Sequence, residues 1–194
     1  MHADPGAPTD ARSVAWLAVC LLLAAIIALY PRAARADAVE LSTFSVVREA
    51  DGVLLSYVAN FQLPPSVEDA LHRGVPLHFE ARAELFQSRW YWRDKRVANA
   101  TLSWRLSYQP LTRTYRVGTG GLNQNFDTLA EALDSMRRRS RWKIADAAQL
   151  EDDGNHYVEF AFRLNTNMLP RPMQIGIGGE TAWSLSVERT QRLE

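Results

Sequence analysis

Alternation of apolar and polar positions dominates most of the chain. Val53, Leu55, Tyr57, Ala59, Phe61 and Leu63 alternate with Ser56, Asn60 and Gln62, the period-two pattern of a strand with one buried face. Val39, Leu41, Phe44 and Val46 precede it, with Asp51-Gly52 between, so residues 39–63 are predicted to form a β-hairpin. The phase changes between Leu41 and Phe44, which predicts a bulge there. A short helix is predicted after Pro64-Pro65-Ser66, ending at Gly74, where a left-handed cap residue is favourable. Val75, Leu77, Phe79, Ala81, Ala83 and Leu85 then line one face of a strand, and His78, Glu80, Arg82 and Glu84 line the other. A second long strand is predicted over residues 98–108, with Ala100, Leu102, Trp104 and Leu106 inward and Arg93-Asp94-Lys95-Arg96 as the polar connector before it. Further strands are predicted over residues 112–117, 156–164 and 182–188. One apolar and one polar face per strand belongs to antiparallel sheets rather than to the two-sided apolar strands of α/β folds.

Residues 126–140 depart from this pattern, because Phe126, Leu129, Leu133 and Met136 recur at helical spacing. Thr128 with Glu131 makes a capping box, acidic residues lead, and Arg137, Arg138 and Arg139 trail, as the helix dipole favours. The predicted fold is therefore mainly β: an antiparallel sandwich-like or curled sheet with one docked amphipathic helix and one short helix. No repeat or linker divides residues 37–194, which are expected to form a single β-rich domain.

The segment before residue 37 has a different character. Residues 14–30 are an unbroken apolar run of about 17 residues, long for a signal-peptide core and short of the roughly 20 that a membrane-spanning helix needs. Pro31 follows, and Ala34-Arg35-Ala36 is the small-x-small pattern that signal peptidase accepts. Residues 1–36 are read as a signal peptide cleaved before Asp37, the alternative being an uncleaved amino-terminal membrane anchor. Arg12 stands against Asp4 and Asp10 before the run, whereas Arg32 and Arg35 lie beyond it, opposite to the positive-inside bias. Val19 occupies the position before Cys20 where a lipoprotein signal wants a small residue, which argues against lipidation.

Cleavage changes the composition. The whole chain has 194 residues with 22 Lys+Arg and 22 Asp+Glu; removing Arg12, Arg32, Arg35, Asp4 and Asp10 leaves 158 residues with 19 basic, 20 acidic and a formal charge of −1. That balance lacks the electrostatic footprint of a general nucleic-acid binder, so no nucleic-acid partner is expected. Cys20 is the only cysteine, and a mature chain without it has no disulfide, thiol nucleophile or Cys-ligated zinc. Contact with a membrane is expected only through the leader, if uncleaved. The location predicted is the periplasm, or the inner membrane facing it.

Two clusters are the candidate binding residues. Arg137, Arg138, Arg139, Arg141 and Lys143, interrupted by Trp142, are the most polarised stretch. They suit an anionic partner such as lipid headgroups, a carboxylate-bearing ligand or an acidic protein face; the plainer alternative is a solvated helix end whose cations meet the last carbonyls. Trp90, Tyr91 and Trp92, between Arg89 and Arg93, are read as alternating residues of a strand, either as an exposed platform on one face or as core. Trp104 and Trp183 are assigned to the core.

Enzymatic motifs are sparse. Gly118-Thr119-Gly120-Gly121 lacks the Gly-Lys-Ser/Thr ending of a phosphate loop and reads as a turn, as do Gly176, Gly178 and Gly179. His72, His78 and His156 form no His-x-x-x-His pair, and no Gly-x-Ser-x-Gly elbow exists. His78 beside Glu80 and Arg82 is the candidate general base. Glu80 and Glu84 on one strand face lie about 13 Å apart, too far for direct cooperation, though carboxylates on neighbouring strands remain open. No catalytic residue, metal ligand or cofactor is assigned.

Phe61-Gln62-Leu63-Pro64, the Leu71/Gly74-Val75-Pro76-Leu77/Phe79 segment, the aromatic run 90–92, Leu102 with Trp104, and Ala132-Leu133 leading to Arg139 and Trp142 together resemble a bacterial family, domain-of-unknown-function family 4390, whose members are sometimes labelled proline-rich signal peptide proteins. The resemblance spans most of residues 39–190. It implies export to a Gram-negative cell envelope and no assigned activity, so no functional residue is carried over. The function expected is an uncharacterised envelope protein, non-catalytic, binding another envelope protein as an adaptor; the alternatives are a carrier or sensor of a small amphiphilic ligand, and third a small hydrolase.

Overall fold

The computed structural model describes residues 39–150, 155–170 and 183–193. In chain order the described elements are β1 (Glu40–Glu49), β2 (Gly52–Asn60), α1 (Pro65–His72), β3 (Leu77–Gln87), β4 (Lys95–Gln109), β5 (Thr114–Thr119), β6 (Leu122–Phe126), α2 (Leu129–Arg137), β7 (Arg138–Asp146), β8 (His156–Leu164) and β9 (Ser186–Arg192). They form two antiparallel sheets, β1-β2-β7 and β6-β5-β4-β3-β8-β9. Short 3-10 turns follow β7 at Ala147–Gln149 and β8 at Thr166–Met168. The predicted leader and the Gly176, Gly178 and Gly179 turns lie outside the described residues.

The amino-terminal hairpin depends on Gly52. Its φ is +136°, and a Cβ there would stand 2.0 Å from the backbone oxygen of Ala145, so only glycine lets β7 close against the turn. The pairing of β1 with β2 slips between Leu41 and Thr43, at the predicted bulge. On the inner faces, Tyr57 lies 4.8 Å from Phe160, Phe44 lies 5.3 Å from Phe160, and Phe61 lies 5.4 Å from both Phe79 and Phe162, measured between ring centroids. These rings, with Leu55, Leu77, Leu85 and Leu106, join the two sheets in one core. Their burial dominates stability, at roughly 1.5–3 kcal/mol for each large side chain removed from water. Trp104 and Trp183 are buried in it, as assigned.

Several predicted boundaries shift. The helix predicted over 126–140 is shorter: Thr128 and Glu131 do form the capping box, but Phe126 ends β6 and Arg138 turns extended at φ −126°, ψ 141°. Pairing of Arg138 with Val58 and Arg139 with Tyr57 recruits the trailing cations into a strand. Trp90, Tyr91 and Trp92 are not in a strand; they form the turn between β3 and β4, whereas Lys95 and Arg96 of the predicted connector belong to β4. The strand predicted over 182–188 is observed at Ser186–Arg192, and the one predicted over 112–117 at Thr114–Thr119. Gly120 and Gly121, both at positive φ, make the two-residue turn into β6.

Candidate functional site

The basic segment is divided between a helix end and an edge strand. Arg137 closes α2 and turns inward: Nη1 donates to Asp134 Oδ1 at 2.7 Å, Nη2 donates to the Phe61 carbonyl, and the guanidinium carbon stands 5.2 Å from the Phe61 ring centroid. β7 then runs along β2 with two register slips. At the first of these Arg141 adopts φ +52°, its backbone N–H donates to Ser56 Oγ, and its guanidinium makes a two-pronged contact with Glu49 at 2.6 and 2.9 Å. The hydrogen bonds from Arg141 hold the Glu49 carboxyl below the usual carboxylate range, and Glu49 in turn raises Arg141. Lys143 pairs with Asp146 at 2.6 Å, which raises its ammonium. Trp142, in register with Leu55, is half-buried against the core.

Arg138 and Arg139 are left. Both are exposed, and neither has an ion-pair partner among the described residues. They sit side by side at the start of an edge strand, so consecutive side chains leave opposite faces. Arg139 is in register with buried Tyr57, whose hydroxyl has no hydrogen-bond partner among the described residues. Burial pushes that phenol up, and the positive charge of Arg139 pulls it the other way.

The second cluster stands apart from the first. Trp90, Tyr91 and Trp92 are 94%, 68% and 74% exposed, and the Trp90 and Tyr91 rings meet edge to face at 5.0 Å. Asp94 ties the turn at its base: Oδ1 accepts from the Arg89 backbone N–H at 3.1 Å, and Oδ2 accepts from the Tyr157 hydroxyl at 2.8 Å. Those two bonds, Tyr157 first, hold the Asp94 carboxyl low. Tyr157 stacks on Phe86 at 5.4 Å, and burial followed by the bond to Asp94 pushes its phenol up to about 12. Arg139 is level with Tyr57, whose ring contacts Phe160, and Phe160 pairs with Ala83. The turn begins beyond Gln87, so the two clusters address different parts of the surface.

The other titratable groups are engaged separately. Burial, then Arg105, pushes His78 down; it faces Arg105 across β3–β4 rather than joining Glu80. Glu80 accepts from Arg163 at 2.9 Å and Asn165 at 3.4 Å and lies 3.2 Å from Arg82. Glu84 and Glu159 face each other across β3–β8, with Glu84 held by Arg96 at 3.0 Å. A concavity of about 340 Å³ lies over this outer face, lined by Glu80, Arg82, Glu84, Glu159, Arg163 and Glu188 among others. It is a charged surface hollow and not the apolar cleft that a carrier of an amphiphile needs. His72 Nε2 lies 2.7 Å from the Tyr115 hydroxyl, and burial, then Tyr108 and Glu68, raises that phenol rather than activating it. Among the described residues no group of three or more His, Cys, Asp or Glu is placed to hold a metal ion.

Sequence reasoning missed Asp94, Glu49 and Tyr157. An Asp closing a short polar stretch was the available signal for a side-chain-braced turn, whereas Glu49 and Tyr157 act through pairings distant in sequence. A family model described as Domain of unknown function (DUF4390) matches residues 36–193. No curated protein and no solved structure matches the chain.

Proposed function

The chain belongs to the DUF4390 family, and from that premise we propose that it is an exported, non-catalytic binding domain of the cell envelope, an adaptor that takes an acidic protein surface at the start of β7. One observation carries the reading: of the five cations at 137–143, three are tied to Asp134, Glu49 and Asp146, and the pair Arg138 and Arg139 is left exposed on an edge strand without a counter-ion among the described residues. Partner carboxylates meeting this strand edge, from which Arg138 and Arg139 leave on opposite faces, gain charge-assisted hydrogen bonds without first breaking internal ones. The apolar run 14–30 followed by Ala34-Arg35-Ala36 supports export. The ring-packed interior supports binding at the surface rather than inside the sandwich.

Charge reversal tests the reading. Arg138→Glu combined with Arg139→Glu is expected to abolish co-purification of the partner from envelope extracts while leaving the melting temperature close to the parent's. Unchanged co-purification by the folded double variant overturns it.

A further inference from the structure

We propose that the turn between β3 and β4 docks the domain onto an anionic lipid surface, with Trp90, Tyr91 and Trp92 seated among the headgroups and Arg89 and Arg93 on lipid phosphates. This uses a different surface from the adaptor contact and does not depend on it.

Three consecutive aromatic side chains are exposed at the turn, Trp90 almost fully and Tyr91 and Trp92 over most of their surface. Trp and Tyr combine a large apolar body with a polar N–H or O–H, the combination that settles at a membrane–water interface. They project from a single turn rather than line a face. A folded protein would need a cavity matched to that convex tip, whereas lipid headgroups rearrange around it.

Charge points the same way. Arg89 and Arg93 flank the rings, and neither forms an ion pair among the described residues. The only acidic residue of the turn, Asp94, directs both carboxylate oxygens to the Arg89 backbone and to Tyr157 at the base of the turn, and its single negative charge is outnumbered by Arg89 and Arg93. The tip therefore offers cations around aromatics, complementary to anionic headgroups. The Asp94 brace and the stacking of Tyr157 on Phe86 order the turn in advance, lowering the entropic cost of docking.

The test is made on the full chain with Cys20→Ser, so that a fluorescent probe sensitive to polarity can be placed at Tyr91→Cys, or at Leu111→Cys as a control. Leu111 is fully exposed in the turn at the opposite end of β4. Vesicles of phosphatidylcholine alone are compared with vesicles containing one quarter phosphatidylglycerol. The expected result is a blue shift with a severalfold rise in emission at position 91 on the anionic vesicles only, no change at position 111, and loss of the response with Arg89→Glu and Arg93→Glu. Attachment through the apolar amino-terminal run would not by itself move the probe at 91. No response at 91, equal responses at 91 and 111, or a response indifferent to the two arginines and to lipid charge overturns the proposal. So does a protein cross-linked from position 91 in cells when vesicles give no response.

Discussion

Arg141 grips Glu49 across the width of the three-stranded sheet, with Nη1 2.6 Å from Oε1 and Nη2 2.9 Å from Oε2, although β2 runs between their strands. The cation central to the basic segment is thus committed within the fold. Glu49→Gln is expected to lower the melting temperature slightly at neutral pH. Because the folded carboxyl is depressed, the pair's contribution is complete above the ordinary glutamate value of about 4.3 and is lost as pH falls through the lower folded value. Melting curves of parent and variant should therefore converge as the pH is taken below the ordinary glutamate range.

Tyr57 buries a hydroxyl that has no hydrogen-bond partner among the described residues. Tyr57→Phe removes that unsatisfied group and is expected to leave stability within about 1 kcal/mol of the parent, or to raise it, whereas Tyr57→Ala opens a cavity costing about 3–5 kcal/mol. Burial raises the folded phenol above its unfolded value, so the parent keeps this contribution below pH about 10 and loses it as pH rises further. Tyr157 adds to the same alkaline loss. Denaturant titrations at pH 7 and pH 11 should show the Phe variant losing less than the parent.

Asp94 orders the exposed turn from its base. Asp94→Ala is expected to speed amide exchange at Arg89 at least tenfold and to spare the exchange of core strands such as β3. The folded carboxyl is depressed, so in the parent the brace holds above pH about 4 and fails only on stronger acidification.

Gly52 is expected to tolerate no substitution. In Gly52→Ala the new methyl meets the Ala145 backbone at a φ that L residues rarely adopt, and the cost is about 3 kcal/mol or more. A urea midpoint near the parent's would contradict the described closure of β7 on the hairpin.

Much of the fold is legible in the chain where burial is one-sided and regular. β3 and β8 alternate without interruption, and the Leu41/Phe44 phase change marks a true register slip. β7 is not legible for the opposite reason: two slips break the spacing of Trp142, Ile144 and Ala145, and no glycine or proline announces the end of α2 at Arg137. β6 reads Leu-Asn-Gln-Asn-Phe with no buried residue, so only the Gly120-Gly121 turn signals it. The binding candidates were visible as composition, but which cations stay unpaired was not. That depends on Glu49, which is 92 residues from Arg141 in the chain and beside it only after folding. The aromatic run was misassigned because Trp and Tyr favour strands, while the feature that makes 90–92 a turn is the acceptor geometry of Asp94.

The adaptor reading is tested most directly by a photocrosslinking residue at position 140, next to Arg138 and Arg139 at the start of β7, in cells exporting the protein. The account predicts an adduct with an acidic envelope protein that disappears when Arg138 and Arg139 are reversed to Glu and persists when Lys143 is. No adduct from position 140, or one unchanged by reversing both arginines, would contradict it.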